Sequence, residues 1–152
     1  MEVQLQRSYI ESIEALFREG VLDAQFEQLL MLRDESNPDI VMEVVTLFSE
    51  DCQRILNQLS QTLNEQSVDF KKVDASVHQL KGSTSSIGAA RLKNACIAFL
   101  SFCDAQNVEG CLRCSQQIEH EYLLLKNNLE ALLRLEQQIV AAGGVVPVLN
   151  EF

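Results

Sequence analysis

One short run of this 152-residue chain gathers side chains able to do chemistry: Val77-His78-Gln79-Leu80-Lys81-Gly82-Ser83-Thr84-Ser85-Ser86-Ile87-Gly88. An imidazole titrates near physiological pH, so close to neutrality it offers a nitrogen lone pair as a nucleophile. Read as a helix, the segment places Val73, Val77, Leu80, Thr84 and Ile87 in one stripe. His78 is turned well away from that stripe, to the side shared with Lys71, Asp74, Ala75, Lys81, Gly82 and Ser85. His78 is therefore expected on the surface. Lys81, three residues on, is its neighbour across one helical turn and can counter the charge of a phosphate. Ala75 and Gly82 are small, which lets a second protein surface come close to the ring. Glycine in a helix interior costs about 1 kcal/mol against alanine, so Gly82 calls for a packing or functional reason. The combination describes an exposed nucleophilic imidazole with a nearby cation and a cleared approach.

Other reactive residue types lack a comparable setting. Cys111-Leu-Arg-Cys114 has CxxC spacing, but neither a βαβ context nor two further ligands accompanies it. Cys96 and Cys103 fit core positions. His120 lies between Glu119 and Glu121 with no nucleophile or ligand pattern around it. No Gly-rich phosphate loop, Walker motif or paired catalytic carboxylate is present, and a histidine kinase is not expected because no nucleotide-binding domain fits the remaining length.

The elements that must position His78 are helices. Apolar residues recur at helical spacing over Gln4–Phe17, with Gly20 as a stop. Asp23 can cap a short helix over Ala24–Arg33, and Ser36-Asn37-Pro38 is a break. Pro38 suits the first turn of a third helix running to about Asn64. Its stripe is Val41, Val44/Val45, Phe48, Cys52, Ile55, Leu59 and Leu63. A fourth helix covers about Phe70–Ile87 and ends at Gly88, and a fifth covers Ala90–Gln106. Asn107–Gly110 reads as a turn. A last helix, about Cys111–Ala141, carries Cys111, Ile118, Leu125, Leu132 and Ile139 in a seven-residue repeat, with Tyr122 and Leu129 between. No run alternates as a half-buried strand does. The expected fold is all-α: an up-down four-helix bundle with two additional short N-terminal helices. Residues 1–142 are expected to form the domain, with 143–152 a flexible C-terminal tail.

The run from His78 to Ala89 resembles the signature of histidine-containing phosphotransfer (HPt) proteins, in particular the plant type. Ser36-Asn37-Pro38 and Phe48-Ser49-Glu50-Asp51 resemble that family too, and the likeness extends over nearly the whole chain. Thr84 stands where serine is common and keeps the hydroxyl. The resemblance places the phospho-accepting histidine at His78. It implies a phosphocarrier rather than a true enzyme. The receiver domain of a hybrid sensor histidine kinase would donate a phosphoryl group to His78, and the receiver of a response regulator would take it, in a multistep phosphorelay of the cytokinin type. Lys81 would assist electrostatically and Gly82 would permit close contact. Gln79, Ser83 and Ser86 are candidates to hydrogen-bond the phosphoryl group or the partner's loops. Partner docking is expected at Asp23, Gln25, Phe26, Leu29 and Ala75, with simple packing against the bundle as the competing role for Phe26 and Leu29. No cofactor is expected in this chain; Mg²⁺ would belong to the receiver. The protein is expected to be a monomer in cytoplasm and nucleus.

Composition agrees with this and excludes other classes. Acidic residues outnumber basic ones 22 to 12, for a net charge of -10, which argues against nucleic acid and anionic membranes. The uncharged stretches Asn94–Cys103 and Gln137–Asn150 are too short to span a bilayer, and Met1–Ile10 lacks the pattern of a secretory signal. Five cysteines fit reduced thiols better than a disulfide framework. The basic residues are not evenly spread: Lys71, Lys72, Lys81, Arg91 and Lys93 fall within 23 positions, which predicts a local basic rim around His78. Two other readings differ in what they require. A scaffold would bind receivers without accepting phosphate, and a kinase fragment would be an obligate dimer.

Overall fold

The computed structural model describes residues 1–147, and its regular elements there are six helices: α1 Glu2–Arg18, α2 Ala24–Met31, α3 Ile40–Leu63, α4 Phe70–Ile87, α5 Ala90–Asp104 and α6 Val108–Ala141. Helix α3 packs on α4, α4 on α5, α5 on α6 and α6 back on α3, which closes a four-helix bundle. The connections inside that ring are short, so sequential helices are antiparallel neighbours. Helix α1 lies along α6, and α2 lies against α4. The buried positions follow the expected stripes: Val41, Val45, Phe48, Cys52, Ile55, Leu59 and Leu63 on α3, and Val73, Val77, Leu80, Thr84 and Ile87 on α4. All seven apolar positions expected along the last helix are buried as well.

Polar groups caught in this interior are satisfied. Thr84 donates its hydroxyl to the Lys81 carbonyl at 2.7 Å, and the Tyr122 hydroxyl donates to the Ser49 carbonyl at 3.0 Å. Tyr9 donates to Glu136 Oε2 at 2.8 Å, while Arg33 Nη2 donates to both Glu136 oxygens at 2.9 Å. This cluster ties α1, the segment after α2, and α6 together. Burial and the adjacent Glu136 push the Tyr9 phenol well above its ordinary range.

Among the boundaries that differ from expectation, the starts of α3 and α6 have local reasons. Helix α3 starts at Ile40, two residues after Pro38. Asp34 accepts bonds from the Ser36 hydroxyl, the Ser36 N–H and the Asn37 N–H, and so holds the chain in a turn up to the proline. Helix α6 starts at Val108 rather than Cys111: Asn107 caps it by accepting the Gly110 N–H at 2.9 Å. Gly110 is no breaker. A Cβ there would stand 2.2 Å from Phe102 Cδ1, so the glycine lets α5 and α6 approach closely. Beyond α6, residues 143–147 lie near α1, with Gln6 donating to the Val145 carbonyl at 2.9 Å and Val146 packed on the core. The rest of the expected tail, 148–152, lies outside the described residues.

Candidate functional site around His78

Helix α4 is held at both ends. Asp69 caps its start by accepting the N–H groups of Lys71 and Lys72. At its end Gly88 adopts φ 78°, and the Ala89 N–H reaches back to the Thr84 carbonyl at 2.9 Å, a closure glycine allows without strain. Between these caps the buried stripe anchors one face, and the opposite face is left to solvent.

His78 is on that open face, with its side chain 58% exposed. Lys71, Ala75 and Gly82 are exposed beside it, and Lys81 is half-buried. Gly82 has no internal packing reason: a Cβ built there would meet nothing within 4 Å. The helix carries a poor helix former at a point where only an approaching molecule would notice the missing side chain. Lys81 forms no ion pair among the described residues, so its charge is available to an incoming anion. Asp74, four residues before His78, brings Oδ2 to 3.5 Å from His78 Nε2.

The serines and Gln79 are placed less directly. Five residues of α-helix turn Ser83 about 140° away from His78, so the helix does not bring these two to one phosphoryl group. Ser86 lies about 12 Å along the axis from His78 and donates its hydroxyl to the Ser83 carbonyl at 2.7 Å, which suits it to a partner's loop and not to the reacting group. Gln79 is exposed, roughly 100° around the helix from the histidine.

The docking set divides. Asp23 caps α2 by accepting the Gln25 N–H at 2.9 Å, and its own N–H donates to the Gly88 carbonyl at 2.9 Å. The start of α2 is thus pinned to the end of α4, about 15 Å along the axis from His78. Gln25 and Ala75 are exposed. Phe26 and Leu29 are 0% and 6% exposed and belong to the core, which is the packing role expected as the alternative to docking. The Phe26 ring packs against Phe17 with centroids 6.5 Å apart. An eight-residue helix lying on α4 must bury its larger apolar side chains inward, and these two are what it buries.

The basic rim is thinner than five residues suggest. Arg91 donates to Glu121 Oε1 at 2.7 Å and is neutralised there. Lys71, Lys72, Lys81 and Lys93 make no ion pair among the described residues. Four of the five cysteines are buried. Cys103 and Cys111 bury their sulfurs 3.9 Å apart, and burial pushes the Cys103 thiol up to about 12. Among the described residues no three His, Cys, Asp or Glu side chains group as a metal site would require, and no helix is long and apolar enough to cross a membrane.

An exposed histidine on a capped bundle helix, beside a cation and a bare glycine, defines a class. Residues 43–138 match the model of the Hpt domain. The chain belongs to the histidine-containing phosphotransfer family, in its plant form. Histidine-containing phosphotransfer protein 1 of Arabidopsis thaliana is 62% identical over 148 residues, which cover 97% of this chain and 96% of that protein. Histidine-containing phosphotransfer protein 5 of the same plant is 53% identical over 145 residues, 95% of this chain and 92% of its own. The crystal structure of a histidine-containing phosphotransfer protein from Medicago truncatula superposes with a TM-score of 0.88 at 50% identity, covering 91% of this chain and 95% of that one.

Proposed function

We propose that His78 accepts a phosphoryl group from the aspartyl phosphate of one receiver domain and yields it to the aspartate of another. The observation that carries this is the bare surface at Gly82, one turn beyond an exposed imidazole and free of any internal packing role. Family membership supports it.

The chemistry asks little of this chain beyond position. The unprotonated ring nitrogen gives its lone pair to phosphorus, in line with the breaking P–O bond, and the displaced pair stays on the receiver carboxylate. The proton on the other ring nitrogen remains until water takes it. Most of the rate comes from orientation and from charge around the transferring group. Lys81 supplies one positive charge from this side, and the receiver supplies its own Mg²⁺. The chain is a carrier: it ends the first half-reaction covalently changed and is restored in the second by another protein. Donor and acceptor on this reading are the receivers of a hybrid sensor kinase and of a response regulator, in signalling of the cytokinin type, met by a monomer in cytoplasm and nucleus. Plant histidine-containing phosphotransfer relatives along almost the full length support the phosphorelay part of that reading.

The partner footprint is Ala75, Gln79, Gly82 and Ser86 on α4, extended by Asp23 and Gln25 at the start of α2. A patch of about 800 Å² per partner spans the roughly 15 Å between them. Incubation with a phosphorylated receiver should give wild type an acid-labile, alkali-stable label and leave His78→Gln unlabelled. Receiver binding that persists in His78→Gln would show that docking and transfer are separable. A labelled His78→Gln, or an unlabelled wild type, would refute the assignment.

A further inference from the structure

Asp74 stands one helical turn before His78 with its Oδ2 3.5 Å from Nε2, and the two side chains are 40% and 58% exposed. That separation exceeds the 2.7–3.2 Å of an N–H···O bond. The helix holds the two groups side by side, and charge, not a directed bond, couples them. Among the described residues no lysine or arginine pairs with the Asp74 carboxylate. Asp74 caps no helix and accepts no hydrogen bond that the fold needs, and aspartate is a mediocre residue for a helix interior. Nothing in the bundle accounts for it.

We propose that Asp74 is a positioning residue that sets how readily His78 gives up its phosphoryl group. The inference rests on the reading of His78 as the phosphoryl acceptor. A phosphoryl group on the ring brings nearly two negative charges to within a few ångströms of the carboxylate. Like charges at that range raise the free energy of the phosphorylated carrier, while the free ring feels no such repulsion. On discharge an oxygen of the receiver aspartate bonds to phosphorus and the N–P bond breaks. Its electron pair returns to the ring nitrogen, and the dianion leaves the vicinity of Asp74. The carboxylate therefore tilts the equilibrium toward transfer out, and Lys81, on the other side of His78, opposes it. For charges about 5 Å apart on an exposed, salt-screened surface, the effect is about three- to tenfold in the transfer equilibrium constant.

The test uses the full chain, an isolated receiver domain and labelled phosphate, with the distribution between histidine and aspartate read at equilibrium. Asp74→Asn should shift it toward phosphohistidine by about three- to tenfold, Asp74→Lys further, and Asp74→Glu should stay close to wild type. The Asn shift should shrink as salt rises from about 50 mM to about 500 mM. Circular-dichroism melts identify any variant whose fold has changed. Equal distributions for wild type and Asp74→Asn, or equal shifts for Asn and Glu in folded variants, would overturn the inference while leaving His78 as acceptor. A wild type carrying no label on His78 would overturn both.

Discussion

At the residue scale the proposed transfer rests on what is missing from Gly82 as much as on what His78 carries. Because a Cβ at position 82 meets nothing within 4 Å, Gly82→Ala should raise stability to urea by up to about 1 kcal/mol. Gly82→Phe should fold equally well and lose transfer by at least about tenfold, since displacement of a reacting group by an ångström is already costly. Urea titration and a transfer time course on the same preparations separate the two effects. A destabilised Gly82→Ala would mean that the glycine serves the bundle and not a partner. His78 was legible in the sequence because α4 has a sharply defined apolar stripe and the histidine falls far outside it. Phe26 and Leu29 were not legible. Two turns of helix fix no face by their own pattern, and only the packing of α2 on α4 decides that both turn inward.

At the element scale the joint between α2 and α4 fixes where the start of α2 sits against the end of α4. Gly88 at φ 78° has Asp23 Oδ1 and Phe26 N each 2.5 Å from where a Cβ would stand. Gly88→Ala should cost about 1–3 kcal/mol, through the left-handed backbone and the displacement of α2. Urea denaturation measures the loss. Hydrogen exchange should show it concentrated in α2 amides, and protection unchanged there would contradict the coupling. Asp23→Ala removes the α2 cap and should cost about 1 kcal/mol. Helix number and order were legible because each long helix repeats its apolar positions several times. The start of α6 was not. Gly110 reads as a breaker along the chain, and its purpose, room for the Phe102 ring, exists only once α5 lies alongside.

Over the whole molecule, charge and buried thiols give separate predictions. Burial raises the Cys52 and Cys96 thiols from 9.0 to about 12. The folded state keeps these protons after the unfolded chain has released them. Stability should thus hold up to about pH 9 and fall between about pH 9 and 12, as urea midpoints at successive pH values would show. Cys96→Ala should flatten that fall; a pH-independent midpoint across the range would contradict the buried, protonated thiols. The net charge of -10 argues against nucleic acid, yet Lys71, Lys72 and Lys81 lie on the same helix as the exposed His78. An acidic receiver should be steered to them, and transfer should slow as salt rises. With Arg91 bound to Glu121, Arg91→Gln should leave that salt dependence nearly unchanged, whereas Lys81→Gln should weaken it. Charge distribution was legible from the sequence only as a count of nearby basic residues, because which of them remain unpaired depends on α6 arriving beside α5.

The central claim is that this chain carries a phosphoryl group from one receiver to another through a single histidine. The most direct measurement is a two-stage transfer. The chain is charged from a labelled receiver, freed of it, mapped by peptide analysis, and then mixed with a second, unlabelled receiver. Label should appear on the peptide containing His78 after the first stage and move to the second receiver, with loss from His78, after the second. Label on any other residue, or label that stays on His78 in the presence of a competent receiver, would contradict the claim.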